Sequence, residues 1–208
     1  MISRQLFGNI VFGDYEIDEN RILKETLDKE DVVLELGTGL GYNSIFAAKI
    51  INNKVTTFEA NPNLIPLIRQ NMEKNNVKFD LKNQVVLSKD LQKSALEFNV
   101  VENFWSSSLK TNVEDRIVEK VVVPSCQLSE ILAVEHPTYL IVDIEGGEED
   151  FFDDCGFLEN SSIKKILLEL HANIIGEEKC SMVIRNIIKS GFKMRLDSSP
   201  KNVIFFSR

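Results

Sequence analysis

The sequence contains few of the residues that mark disulfide-rich and zinc-binding proteins. Its 208 residues include three cysteines, two histidines and one tryptophan. Cys126, Cys155 and Cys180 lie far apart, and the chain has no CxxC pair and no clustered pair of histidines. This set favours neither a disulfide framework nor a structural zinc site. We therefore expect no bound metal.

Long apolar runs and clusters of positive charge are also missing. No segment approaches the length of a membrane span, and residues 1–18 lack the apolar core of a signal peptide. The 24 lysines and arginines are spread along the chain beside 32 aspartates and glutamates, and the formal net charge is −8. Nucleic-acid-binding surfaces concentrate basic residues. We expect a soluble cytoplasmic protein with no nucleic-acid or membrane partner.

Short runs of valine, isoleucine and leucine alternate with amphipathic segments, and this pattern is typical of βαβ units around a parallel sheet. Strands are predicted at about 32–36, 55–59, 84–88, 139–143 and 163–170. Helices are predicted at about 42–51, 63–75 and 177–190. Two final strand-like runs, joined by a Ser-Ser-Pro-Lys turn, predict an antiparallel hairpin at the sheet edge. The expected fold is a doubly wound, Rossmann-like α/β sheet of seven strands, mostly parallel, with this C-terminal hairpin.

Length and composition predict one domain over residues 1–208, with residues 1–29 as an N-terminal lead-in. Residues 89–123 interrupt the alternation, because they contain two or three further β-like runs and no clear helix. We interpret them as a β-rich insertion that replaces a third crossover helix. Such a connection is either a decorated loop or an insertion that shapes the substrate site.

Three glycines lie in five positions of "VVLELGTGLGYNSIFAAK", residues 32–49. Gly37, Gly39 and Gly41 follow a predicted strand and precede a predicted helix, so the loop is either a tight turn or a cradle that lets a ligand approach the main chain. Dinucleotide-binding loops have the spacing GxGxxG. Here Tyr42 occupies the position of the third glycine, so the sequence disfavours NAD.

Two acids flank this loop and indicate another ligand. Glu35 lies two residues before the first glycine, where a carboxylate repels pyrophosphate but can hold an ammonium group directly or through water. Glu59 ends the next strand, at the distance where a carboxylate accepts both hydroxyls of a ribose. Ribose and ammonium together predict S-adenosylmethionine. The candidate cofactor-binding residues are Glu35, Gly37, Thr38, Gly39, Gly41, Glu59, Ala60 and Asp143.

The segment "DIEGGEED" places several carboxylates at the carboxyl end of a central predicted strand, where open α/β sheets bind ligands. Neighbouring like charges raise one another's pKa, so one carboxylate can act as a general base. The acids at 148–150 are also explained as first-turn helix residues. Asp143 is the first catalytic candidate, and Glu145 is the second. His171 follows the next strand and is either a proton acceptor or a hydrogen-bonding rim residue.

Four motifs resemble those of class I S-adenosylmethionine-dependent methyltransferases, and within that group the FkbM family. They are "LELGTGLG", "FEANP", "VDIEGGEEDFF" at 142–152 and "ILLELH" at 166–171, and the likeness covers about residues 30–206. The family's D-x-E-G-x-E run is matched by Asp143, Glu145, Gly146 and Glu148. The sequence departs from the family at Ile141, where a lysine is usual, and in its first motif, which more often reads D-x-G-A-N-x-G.

The resemblance implies methyl transfer from S-adenosylmethionine, and acids and a histidine at the rim favour an oxygen acceptor in a small or sugar-like hydroxyl compound. Alternatives are a nicotinamide-dependent oxidoreductase or a non-catalytic cofactor-binding module. A nucleic-acid base methylase is a minor alternative, because its fourth strand should end in an N/D-P-P-Y motif and here the strand is followed by "DIEG".

Overall fold

A computed structural model of the protein describes residues 16–89, 93–101, 117–195 and 202–208. The helices in these ranges are α1 (Ile17–Thr26), α2 (Tyr42–Ile50), α3 (Ile65–Asn75), α4 (Leu128–Glu135), α5 (Glu148–Phe151), α6 (Gly156–Glu159), α7 (Ala172–Ile175) and α8 (Glu177–Lys189). The strands are β1 (Val33–Leu36), β2 (Val55–Phe58), β3 (Asp80–Lys82), β4 (Val85–Leu87), β5 (Ala95–Val101), β6 (Ile117–Gln127), β7 (Tyr139–Val142), β8 (Lys165–Glu169), β9 (Lys193–Met194) and β10 (Val203–Ser207).

Seven strands form the central sheet in the order β3-β2-β1-β7-β8-β10-β9. The first five are mutually parallel, and β10 runs antiparallel to both β8 and β9. This confirms the predicted mostly parallel α/β sheet with its C-terminal hairpin. Leu36 at the end of β1 pairs with Phe58 on one side and with Val142 on the other. The three segments that follow β1, β2 and β7 therefore leave the sheet side by side.

The strand predicted at 84–88 is misplaced in the sequence-based fold. Its core, β4, pairs with β6 in a separate three-stranded sheet of order β4-β6-β5. Beside β2, the edge of the central sheet is instead formed by β3, a short and partly exposed Asp-Leu-Lys segment. An edge strand with so few apolar residues leaves no hydrophobic run in the sequence, so the sequence pattern predicts the nearby "VVL" as the strand.

The segment predicted as an insertion supplies β5 and most of β6, which pair antiparallel. Residues 90–92 and 102–116 of that segment lie outside the described residues, as do residues 1–15 of the lead-in and the turn at 198–201. The expected loss of a crossover helix is wrong, because α4 lies between β6 and β7 and buries Leu128 and Ile131 against the central sheet. Its eight residues follow directly from β6, so no boundary in the sequence marks a separate helical segment.

Both faces of the central sheet are covered. Leu34, Leu140 and Leu168 pack toward α4 and α8, whereas Val33 and Ile141 pack toward α1 and α2. Side chains alternate between the two faces along each strand, so a sheet buried on both sides needs continuous apolar runs. Within the ranges that the structure describes, no helix is long and apolar enough to span a bilayer.

Candidate active site

The glycine loop follows β1, and its three glycines all have a positive φ: +85° at Gly37, +56° at Gly39 and +83° at Gly41. Gly37 donates its N–H to the carbonyl oxygen of Phe58 at 2.9 Å. A Cβ atom at Gly37 would lie 1.6 Å from the carbonyl oxygen of Asp143. At this position a side chain is excluded by the backbone that follows β7. The first glycine is therefore required by packing within the protein, whether or not a ligand is bound.

Glu59 connects the glycine loop to the end of β2. Its Oε2 accepts the N–H of Gly39 at 2.9 Å, and its Oε1 accepts the N–H of Asn61 at 2.7 Å. Burial raises the pKa of Glu59 to about 7, although the backbone N–H groups oppose that rise. Each carboxylate oxygen can accept a second hydrogen bond. The neighbouring Ala60 packs against the core of the three-stranded sheet.

Glu35 lies beneath the loop and is fully buried. Its Oε2 accepts the hydroxyl protons of Thr57, at 2.6 Å, and of Ser44. The hydroxyl of Thr57 lies 2.5 Å from that of Thr38, the loop residue predicted to contact the cofactor. The other oxygen, Oε1, is enclosed and has no hydrogen-bond partner among the described residues. An enclosed carboxylate oxygen without a donor is suited to a water or ammonium donor from a ligand.

Burial also raises the pKa of Glu35 to about 7, from 4.5. The folded protein therefore binds this proton more tightly than the unfolded chain, and the free energy of unfolding falls as the pH rises through that interval. Glu35→Gln carries no titrating group, so we expect a shallower fall and a relative gain of up to about 3 kcal/mol at about pH 8. Urea unfolding at a series of pH values measures this difference. The control is Glu73→Gln, at an exposed position of α3. Equal pH slopes in wild type and Glu35→Gln would contradict the prediction.

The three predicted catalytic residues come together at the carboxyl ends of β7 and β8. We define the rim cluster as Asp143, Glu145, Glu148, Glu169 and His171. His171 Nδ1 lies 2.7 Å from Glu148 Oε1. Its Nε2 lies 3.3 Å from Glu145 Oε2, 3.6 Å from Asp143 Oδ1 and 4.0 Å from Glu169 Oε1. The fold therefore brings Glu169 and His171 next to acids that lie more than twenty positions earlier in the sequence.

The turn after β7 positions the carboxylates of Glu145 and Glu148 beside His171. Glu145 has a φ of +48°, which is unfavourable for a residue with a side chain, and Gly146 follows with +90°. Gly146 donates its N–H to Glu148 Oε1 at 3.1 Å, which fixes the carboxylate that binds His171. A Cβ atom at Gly146 would lie 2.5 Å from Ile174 Cγ2 in α7. Packing on α7 thus holds a strained turn in place.

The negative charges of the rim cluster perturb its titrating groups. The pKa of Asp143 is raised well above its usual value by burial and by Glu169 and Glu145. Burial lowers the pKa of His171, but its hydrogen bond to Glu148 and the surrounding carboxylates raise it more, to about 9. At neutral pH the imidazole is therefore charged and donates hydrogen bonds. A charged imidazole suits the hydrogen-bonding role, one of the two roles that the sequence leaves open for His171.

Two further acids reach the site from the lead-in and were missed by the sequence analysis. Glu16 binds the side-chain amide of Asn43 at 2.5 Å and raises the pKa of Asp143. Glu19 in α1 is buried, and burial together with Glu169 raises its pKa to about 7. Glu19 lies three residues before the buried Ile22, on the same face of the helix. This spacing could have indicated that Glu19 is buried too.

The strand order of the sheet and the glycine loop at its switch point define a class I S-adenosylmethionine-dependent methyltransferase. Residues 37–196 match the family model described as the methyltransferase FkbM domain, and the chain belongs to that family. The cofactor is S-adenosylmethionine. A sequence comparison with curated proteins gives no match.

Solved structures share the fold at low sequence identity. A precorrin-6y C5,15-methyltransferase from Geobacter metallireducens is 14% identical with a TM-score of 0.54, over 92% of this chain and 85% of that one. An rRNA methylase from Streptococcus thermophilus is 12% identical, with a TM-score of 0.53 over 91% and 93%. Fibrillarin from Aeropyrum pernix, solved with natively bound S-adenosyl-L-methionine, is 9% identical, with a TM-score of 0.51 over 91% and 73%.

Proposed function

We propose that the protein transfers the methyl group of S-adenosylmethionine to a hydroxyl oxygen of a small or sugar-like molecule. The observation that carries this proposal is the position of the rim cluster beside the glycine loop, with the Asp143 backbone packed directly on Gly37. The glycine loop, which would hold the cofactor, and the rim cluster, which would accept the substrate proton, then lie beside the same crevice. Open α/β sheets bind their ligands in such a crevice.

The residues around the loop fit the cofactor. Glu59 keeps acceptor capacity for ribose hydroxyls after binding two backbone N–H groups. Glu35 offers an enclosed oxygen without a donor, which suits an ammonium group reached through water. Thr38, Gly39 and the other loop residues supply backbone groups at a site where side chains are small. When bound, the cofactor supplies a methyl carbon already activated by its sulfonium.

The chain's own residues position the acceptor and take its proton. Asp143 is our general base, because its raised pKa makes it a better proton acceptor than an ordinary aspartate. His171 is held by Glu148 and bears a positive charge, so it keeps Asp143 and Glu145 close together despite their repulsion. Glu145 orients a hydroxyl by accepting a hydrogen bond. Most of the rate enhancement comes from holding the two reactants in line.

Acid-rich surroundings favour an uncharged or cationic acceptor over a nucleic acid. Solved structures with this fold include an rRNA methylase and a precorrin methyltransferase, so the fold itself selects no acceptor class. The net charge of −8 and the carboxylates of the rim cluster repel phosphate. A small hydroxyl compound meets no such repulsion.

Calorimetric titration tests the cofactor site directly. We expect wild type to bind S-adenosylmethionine and S-adenosylhomocysteine with a dissociation constant on the order of micromolar, and to bind NAD with no measurable heat. Glu59→Gln places an amide N–H₂ against a backbone N–H and should weaken cofactor binding by about 1.5–3 kcal/mol. Glu73→Gln is the control. Unchanged affinity in a folded Glu59→Gln variant would place the ribose elsewhere, and tight binding of NAD would overturn the proposal.

The acceptor can be found by incubating the protein with cofactor carrying an isotopically labelled methyl group and an extract of small metabolites. Mass spectrometry then identifies the labelled product and the atom that carries the methyl group. Oxygen-linked label supports the proposal. Label on nitrogen, carbon or added RNA alone would contradict it.

A further inference from the structure

The rim cluster holds more negative charge than its own cation balances. His171 contributes one positive charge at most, whereas Asp143, Glu145, Glu148 and Glu169 each contribute a carboxylate. The described residues show no lysine or arginine paired with Asp143 or Glu169. A cluster of acids is not by itself a binding site. Around His171, however, an oxygen without a donor, the orientation of the imidazole and the spacing of the ligand atoms together indicate a metal site.

One of these is an oxygen that lacks a donor. Asp143 Oδ1 is enclosed, has no hydrogen-bond partner among the described residues and faces His171 Nε2 at 3.6 Å. The His171 side chain is itself nine-tenths buried. Buried polar atoms are nearly always satisfied in folded proteins, so an enclosed carboxylate oxygen without a donor indicates a missing ligand. A cation is the partner that a carboxylate oxygen next to other carboxylates can accept.

A second observation is the orientation of the imidazole. Glu148 is fully buried, is fixed by the N–H of Gly146, and its Oε1 lies 2.7 Å from His171 Nδ1. Metal-binding histidines usually donate one ring N–H to a carboxylate in this way, so that the other nitrogen points at the ion. Here the other nitrogen, Nε2, points at Asp143 and Glu145. A bound cation would take the place of the proton that Nε2 carries in the free protein, because a histidine binds a metal ion through a deprotonated ring nitrogen.

The spacing also fits one ion. Asp143, Glu145 and His171 each offer a ligand atom, and these atoms lie within 4.8 Å of one another. Two ligands at right angles around an ion at roughly 2.1 Å are about 3 Å apart. The separations of 3.3 and 3.6 Å from Nε2 are close to this value. Small side-chain rotations would bring all three ligand atoms to such separations. The side chains of Asp143 and Glu145 are 25% and 20% exposed, which leaves room for water or substrate beside the ion.

We propose that Asp143, Glu145 and His171 form a binding site for one divalent cation, with Glu148 as the residue that positions the imidazole. The two carboxylates suit a hard ion such as Mn²⁺, which can also accept one imidazole nitrogen. The expectation of no metal rested on cysteine and histidine spacing, which does not reveal a site of this kind. If the proposed methyl transfer is correct, and this consequence rests on it, the ion binds the acceptor hydroxyl and lowers that hydroxyl's pKa. The acceptor is then a molecule whose oxygen coordinates a metal.

Electron paramagnetic resonance with Mn²⁺ as the probe tests the site without any turnover. We expect wild type to bind one Mn²⁺ per chain, and Asp143→Asn and Glu145→Gln each to weaken that binding by tenfold or more. Glu149→Gln is the matched control, because it removes a carboxylate from the same turn, but one that pairs with Lys179 at 2.9 Å. Thermal melting establishes that each variant is folded. Should Asp143→Asn fail to fold, Glu145→Gln decides the question.

Absence of Mn²⁺ binding at millimolar concentration, or equal binding by wild type and both site variants, would overturn the proposal. Titration of S-adenosylhomocysteine into the same samples keeps the two proposals separate. Cofactor binding without Mn²⁺ binding refutes the cation site and leaves the methyltransferase proposal intact. Mn²⁺ binding without cofactor binding supports the cation site and refutes the methyltransferase proposal.

Discussion

Gly37→Ala is expected to lower the free energy of unfolding by about 3–5 kcal/mol, enough to unfold many single domains. The added Cβ would lie 1.6 Å from the carbonyl oxygen of Asp143, far inside any allowed contact. This oxygen belongs to the backbone at the end of a central strand, so it cannot rotate away. The φ of +85° adds conformational strain. Chemical denaturation of the purified variant measures the loss.

Gly191→Ala is the matched control for this prediction. Gly191 has a φ of +91°, but a Cβ atom there would have no neighbour within 4 Å. The two variants share the cost of placing alanine at positive φ, roughly 1–2 kcal/mol, and only Gly37→Ala adds the backbone clash. Equal destabilisation by both substitutions would show that β1 and β7 separate easily and that the clash is relieved.

Asp143→Asn is expected to lower turnover by about 10² or more while changing cofactor affinity by only a few fold. The amide retains the shape of the carboxylate but cannot accept the acceptor's proton or provide a negative charge to a cation. The Asp143 backbone, which packs on Gly37, is unchanged. Single-turnover rates on the acceptor found by isotope labelling, with cofactor binding measured in parallel, separate the chemical step from binding.

Glu149→Gln should leave the single-turnover rate unaltered, because Glu149 lies at the surface beside Lys179. A wild-type rate in Asp143→Asn would move the proton acceptor to Glu145 or reduce catalysis to proximity alone. A large loss of cofactor affinity in Asp143→Asn would instead make Asp143 a cofactor-binding residue, as its place in both predicted groups allows.

The sequence predicted the central sheet well because its strands are buried on both faces. Runs such as "VVLEL" and "YLIVD" must be apolar at every inward position, and such runs are recognised without a structure. The same argument failed for β3, whose three residues lie half exposed at the edge. The sequence also did not reveal α4, because this helix begins directly after β6 and no turn residues separate the two elements.

The candidate site shows the same division. Glycine spacing, with Glu35 inside one strand and Glu59 after the next, predicted a cofactor loop, because these residues form short motifs of neighbouring positions in the sequence. The loop motifs do not reveal Glu16 and Glu19, because these residues lie just before and within α1 and act on Asp143 and Glu169 across space. Their contribution depends on how α1 packs on the sheet.

The sequence by itself determined the parallel sheet, the glycine loop and the set of acids at strand ends, since each depends on residue type and short-range order. Only the tertiary structure decided what those residues do to one another. The backbone of Gly37 is bare because the end of β7 touches it, and His171 is charged because Glu148 and three further carboxylates surround it. Contact and Coulomb energies depend on distances of a few ångströms between segments far apart in the chain, and those distances exist only after folding.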